Sequence, residues 1–117
     1  MTTLEEDAVV RCALDYFEGW FDADPERMRR ALHPDLAKRS LDGEALDQVT
    51  ARGMIDATSA GSGRERDPGA GRIDVRVVDV HGAIAAVVVD SNVYREYLHL
   101  VRTEDGWKIV NALWDLT

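Results

Sequence analysis

One stretch near the C-terminal end constrains the fold more than any other. It runs Tyr94-Arg95-Glu96-Tyr97-Leu98-His99-Leu100-Val101-Arg102, then Thr103-Glu104-Asp105-Gly106, then Trp107-Lys108-Ile109-Val110-Asn111-Ala112-Leu113-Trp114. Both outer segments are rich in β-branched and aromatic residues, and the middle carries Asp-Gly, so the stretch reads as two long strands joined by a tight turn. Neither strand has a clean polar face. A hairpin that is apolar on both sides needs a cover on each. The rest of the chain can supply one, and a second surface must supply the other.

Upstream of the hairpin the pattern is helical. Residues 4–22 carry two adjacent apolar rows, Val10-Leu14-Phe17-Phe21 and Val9-Ala13-Tyr16-Trp20, wide enough to pack on a sheet. Thr2 or Thr3 is the expected cap, with Glu5, Glu6 and Asp7 in the first turns. Asp24 and Pro25 start a second, short helix that Pro34 stops. Leu36–Leu41 with Asp42-Gly43 suggests a short strand and turn, or an irregular arm. Thr50 caps a third helix over about residues 51–60, and Gly61–Gly71 reads as a mobile loop. Strands at Ile73–Val80 and Ala83–Asp90 then lead into the hairpin. Helices gathered ahead of a strand meander make an α+β layer, and 117 residues without a composition break make one domain, 1–117.

Charge and cysteine usage narrow the function. A net charge of -8 opposes nucleic-acid and anionic-membrane partners, which call for clustered Lys and Arg. The lone Cys12 allows no intrachain disulfide, and the acidic N-terminus lacks a signal-peptide core, so a cytoplasmic location is expected. Three scattered histidines and one cysteine offer no metal spacing. No phosphate loop or nucleophile elbow occurs, and no cofactor is expected.

Four separated motifs occur in one order: Tyr16-Phe17-Glu18-Gly19-Trp20, Leu32-His33-Pro34-Asp35-Leu36, Tyr97-Leu98-His99-Leu100-Val101 and Gly106-Trp107-Lys108-Ile109-Val110-Asn111. In this the chain resembles the NTF2-like (cystatin-like α+β) superfamily, and within it the "putative lumazine-binding" or SnoaL-like group. The resemblance implies three N-terminal helices packed on a strongly curved, mainly antiparallel sheet that forms a cone. It also implies a pocket between the first helix and the concave sheet, and a homodimer through the convex face. The same fold hosts isomerases, dehydratases, cyclases, binding modules and assembly domains. Ketosteroid-isomerase-like members need a base carboxylate and a tyrosine–acid pair in the cone, and the sequence offers no evident buried carboxylate pair.

The hairpin register sorts the candidates. A type I turn at Glu104-Asp105, with Gly106 in a bulge, pairs Thr103 with Trp107, Val101 with Ile109, His99 with Asn111 and Tyr97 with Leu113. The pocket face then carries Tyr97, His99, Val101, Trp107, Ile109, Asn111 and Leu113. The dimer face carries Leu98, Leu100, Val110, Ala112 and Trp114. An Asp105-Gly106 turn would instead exchange the faces. In the favoured register His99 is the acid–base candidate, or else a brace for Asn111, with Asn111 and Tyr97 placed to stabilise negative charge. Tyr16, Trp20, Trp107 and Ile109 are the candidate contacts for a planar or hydrophobic small molecule. Lys38 and Arg39 are either anion ligands or a solvated edge. Asp115 is either a pocket carboxylate or a frayed end. The expectation is a homodimeric small-molecule-binding protein. The alternatives are a cofactor-free lyase, isomerase or cyclase using His99, and a non-catalytic interaction domain.

Overall fold

A computed structural model describes residues 3–66 and 71–117. Helix α1 spans Leu4–Phe21, and the Thr3 hydroxyl caps it by accepting from the Glu6 amide at 3.0 Å. Helix α2 spans Pro25–Ala31, with Asp24 accepting from the Arg27 amide at 3.2 Å. Strands β1 (Leu32–Asp42) and β2 (Ala45–Val49) follow, then α3 (Ala51–Ser59), capped by Thr50. A short helix α4 occupies Ser62–Arg66, inside the stretch expected to be loop; residues 67–70 of that stretch lie outside the described residues. Strands β3 (Ile73–His81), β4 (Ile84–Ser91), β5 (Tyr94–Thr103) and β6 (Gly106–Leu116) complete the chain.

The six strands form one curved sheet in the order β2-β1-β6-β5-β4-β3. All neighbours are antiparallel except β1 and β6, which run parallel. The arm expected at residues 36–47 is thus a true hairpin, and it lies beside the chain's last strand. Pro34 sits within β1 rather than beyond a helix end. The β1–β6 register shifts between Leu32 and Ala37, where Pro34 has no amide to donate.

The β5–β6 hairpin differs from expectation in its first half. Glu104-Asp105 form a two-residue turn with Thr103 opposite Gly106, whose φ of +102° suits glycine. Trp107 therefore faces Arg102 and Ile109 faces Leu100, one residue out of the expected register. A bulge at Val110 then restores His99 opposite Asn111 and Tyr97 opposite Leu113. The reason lies in the core. Ile109 and Ala112 are both fully buried, and an odd separation would put them on opposite faces of a regular strand. One extra residue turns both inward.

The slip and bulge exchange the faces of β5. Tyr94, Glu96, Leu98 and Leu100 point at the helices, joined by Trp107, Ile109, Ala112 and the half-buried Trp114. Tyr97 and His99 on β5 and Asn111 and Leu113 on β6 lie on the outer face, where Tyr97 is 50% and Leu113 49% exposed. The assignment of Tyr97, His99 and Asn111 to a pocket is corrected accordingly, as is that of Leu98, Leu100, Ala112 and Trp114 to a partner surface. Of the expected partner residues, Val110 alone is on the outer side, half-buried at the bulge.

Under the helices, α1 fills the curved sheet. Phe17 and Phe21 lie 6.5 Å apart, Phe21 stacks on Tyr94 at 6.0 Å, and Tyr94 meets Trp114 edge-on at 5.4 Å. This aromatic file runs from the centre of the core to the end of the sheet where β1, β5 and β6 adjoin α3 and α4.

Candidate functional site

At that end the apolar core gives way to a charged cluster. Lys38 on β1 and Glu96 on β5 both point inward, and each occupies a position that its strand otherwise fills with uncharged residues. Lys38 is 7% exposed and Glu96 2%. Their strands do not touch. β6 runs between them, pairing Lys38 with Ala112 and Glu96 with Trp114. The small side chain of Ala112 leaves room for the two charges to converge over it.

Tyr16 from α1 completes the cluster. Its hydroxyl donates to Glu96 Oε1 at 2.9 Å and accepts a hydrogen bond from Lys38 Nζ. Lys38 Nζ lies 3.8 Å from the same carboxylate oxygen. The ammonium also sits near three ring faces, 5.0 Å from the Tyr16 centroid, 5.4 Å from Trp114 and 5.9 Å from Trp20. The Trp20 indole donates to the Tyr94 hydroxyl at 3.2 Å, fixing one of these rings against Tyr94.

Burial dominates the electrostatics. It pushes the Glu96 carboxyl above the usual carboxylate range, against the pull of Lys38 and Tyr16. It pushes the Lys38 ammonium below the usual lysine range, against the pull of Glu96. The Tyr16 phenol is raised well above its ordinary value by burial and by the neighbouring carboxylate. Acid and base are thus drawn toward each other, which suits proton exchange within the cluster.

Through Lys38 the cluster reaches a cavity of about 240 Å³, lined by Trp20, Lys38, Tyr94 and Trp114 together with Val49, Met54, Ala57, Ser62 and Arg66. Helices α3 and α4 form its outer wall.

Among the residues singled out by sequence, Tyr16 and Trp20 meet at this site. Trp107 and Ile109 do not. Trp107 is buried near the start of α1, donating to Glu5 Oε2 at 3.1 Å, and Ile109 is core. His99 and Asn111 are in contact, with 3.4 Å between Nδ1 and Nδ2, but on the outer face. That face has its own depression of about 390 Å³, lined in part by His99, His81, Asp79 and Ile84. Asp115 is exposed near the chain end. Of the two readings of Lys38, the solvated edge is excluded by its burial. Arg39, its neighbour, points outward.

Sequence reading missed Glu96 altogether. The available signal was the alternation Tyr94-x-Glu96-x-Leu98-x-Leu100, which puts a carboxylate in an otherwise apolar row, just as Leu36-x-Lys38 does for the cation. Tyr16 and Glu96 are a tyrosine and an acid in contact, with the phenol donating to the carboxylate itself. The third member is an amine, and among the described residues Glu96 is the one buried carboxylate. No three His, Cys, Asp or Glu side chains among the described residues gather to hold a metal ion. No described helix is long and apolar enough to cross a membrane.

A family model described as "Putative lumazine-binding" matches residues 4–115. The fold is shared with an NTF2-like protein of unknown function from Silicibacter pomeroyi DSS-3, at 16% identity and a TM-score of 0.77 over the full length of both chains. A second such protein, from Shewanella baltica OS155, is 19% identical with a TM-score of 0.72, covering 100% of this chain and 98% of the other. A ketosteroid isomerase-like protein from Erwinia carotovora atroseptica is 12% identical with a TM-score of 0.66, at 98% coverage of each chain. No curated protein sequence matches the chain.

Proposed function

Since the chain belongs to the "Putative lumazine-binding" family of NTF2-like proteins, we propose that it binds a flat or hydrophobic small molecule in the cavity between α1, α3, α4 and the sheet. One observation carries this reading: a buried lysine, paired with a buried glutamate behind it, stands at the wall of an aromatic-lined space. Burying an ion costs several kcal/mol even when it is paired, and an apolar pair of similar volume would serve the core as well or better. Charges retained at a cavity wall point to a ligand. Trp20, Tyr94 and Trp114 supply the apolar contacts, and Lys38 orients a polar atom of the ligand.

The outer sheet face supports a homodimer. Leu41, Ile84, Tyr97 and Leu113 are exposed there, among Arg39, Arg76 and Arg95 and the acidic Asp74, Asp79 and Asp90. Apolar residues ringed by both signs of charge can complement their own copy across a twofold axis.

Native mass spectrometry of protein taken directly from its producing cell tests the pocket, with a retained small molecule as the expected result. In parallel, tryptophan fluorescence is titrated with lumazine, the flat heterocycle in the family's description. Quenching by a flat heterocycle that Trp20→Ala abolishes supports the site. An empty protein that no flat heterocycle perturbs refutes it.

A further inference from the structure

We propose that Lys38 is a carbonyl-trapping amine, and that the ligand class of the cavity is an aldehyde or ketone borne on a flat apolar group, held as an imine on Nζ. This deepens the pocket reading and rests on it. The chain has two lysines, Lys38 and Lys108, beside twelve arginines. Lys108 is at the surface, where its Nζ donates to the Arg30 carbonyl at 2.6 Å. Lys38 is inside, at the cavity wall, among three rings and a carboxylate. A fixed positive charge alone would be served by arginine, whose guanidinium is the more easily buried and pairs better with carboxylates. An amine differs in being able to lose a proton and attack a carbon.

Each group that the reaction needs is present. Glu96 Oε1, 3.8 Å from Nζ, takes the ammonium proton, directly or through the Tyr16 hydroxyl bonded to both. The freed nitrogen lone pair attacks the carbonyl carbon. A C–N bond forms as the C=O π pair moves to oxygen, which takes the proton from Glu96 as nitrogen gives one back to the carboxylate. The resulting carbinolamine is protonated on its hydroxyl by Glu96 and loses water as the nitrogen lone pair closes C=N. Amine and carbonyl have become imine and water, with no oxidant or reductant involved. The protonated imine stands where the ammonium stood, so it keeps the carboxylate and the ring faces as partners. Burial favours the reactive neutral amine, although Glu96 opposes this.

The test uses the wild-type protein with benzaldehyde and sodium cyanoborohydride, which reduces an imine to a stable benzylamine. Adducts are located by peptide mass spectrometry. Benzyl alcohol, which has the ring without the carbonyl, serves as the binding control through tryptophan fluorescence. Lys38 should be labelled ~10-fold or more faster than Lys108, because a bound aldehyde meets the amine at high effective concentration. Lys38→Met, with circular dichroism showing it folded, should give no such adduct, and benzyl alcohol quenching is read on the wild type. Labelling of Lys108 and the terminal amine at the rate of Lys38 or above, with quenching intact, overturns the imine and leaves the pocket standing. Absence of both quenching and Lys38 labelling overturns the two together.

Discussion

Removing one member of the Lys38–Glu96 pair should destabilise the protein far more than removing both. At 3.8 Å the attraction between the charges is about 4 kcal/mol at an effective dielectric of ~20. Dehydrating each ion costs several kcal/mol, so the pair as a whole contributes little net stability. The Lys38→Met variant loses the attraction and keeps the buried carboxylate, with only the Tyr16 hydroxyl bonded to it. The expected loss at pH 8 is about 3 kcal/mol. The double variant Lys38→Met/Glu96→Gln should lie within about 1 kcal/mol of wild type, about 2 kcal/mol more stable than Lys38→Met. The single variant should also depend on pH. A carboxyl whose folded pKa is raised is stabilising below its unfolded value and loses that contribution as pH rises through the folded value. Lys38→Met should therefore be less impaired at pH 5 than at pH 8. In wild type the depressed Lys38 works in the opposite sense, gaining stability as pH rises from its folded value toward the ordinary lysine range, so the two trends partly offset. Urea unfolding followed by tryptophan fluorescence at both pH values measures all of this. A Lys38→Met loss below about 1 kcal/mol at pH 8, equal at pH 5, would show that the carboxylate is not confined as described.

Cys12 is buried, and its thiol is pushed up to about 12 by burial first and by Asp15 second. It should resist a disulfide reagent at neutral pH in the folded protein and react fully in urea, as read by thionitrobenzoate release. On the outer face, Tyr97→Glu or Leu113→Glu should convert a wild-type dimer to monomer in sedimentation velocity with unchanged circular dichroism; a monomeric wild type sinks the dimer. Gly63 in α4 lies against the Trp20 backbone and ring so closely that a Cβ would overlap both. Gly63→Ala should move α4 off Trp20, lowering stability by about 1–3 kcal/mol in urea unfolding and weakening any ligand that stacks on Trp20.

What the sequence disclosed and what it concealed follow from how far apart the deciding residues are. The helix starts are local, with Thr3, Asp24 and Thr50 each capping an amide three residues on, and they were legible, the first as one of two neighbouring threonines. So were the fold class and the hairpin, because their periodicities repeat along the chain. The hairpin faces were not, since they depend on a bulge at Val110 that no residue type announces. That bulge exists so that Ile109 can pack beside Leu32 and Ala112 beside Lys38, contacts made only once β1 has docked in parallel on β6. The shorter turn set Leu100 against the inward Ile109 and so sent His99 outside, and the extra residue then sent Asn111 outside with it. The bulge also brought Ala112 inside, beneath the β5 row that carries Glu96. The charged site is illegible for a related reason: Glu96 is tolerable in an apolar row only because Lys38 arrives from a strand that is not its neighbour. Each residue alone reads as an anomaly in its own strand. A charge interrupting an apolar row of one strand is therefore best read with any opposite charge interrupting such a row elsewhere, because a buried ion without its partner would not be kept.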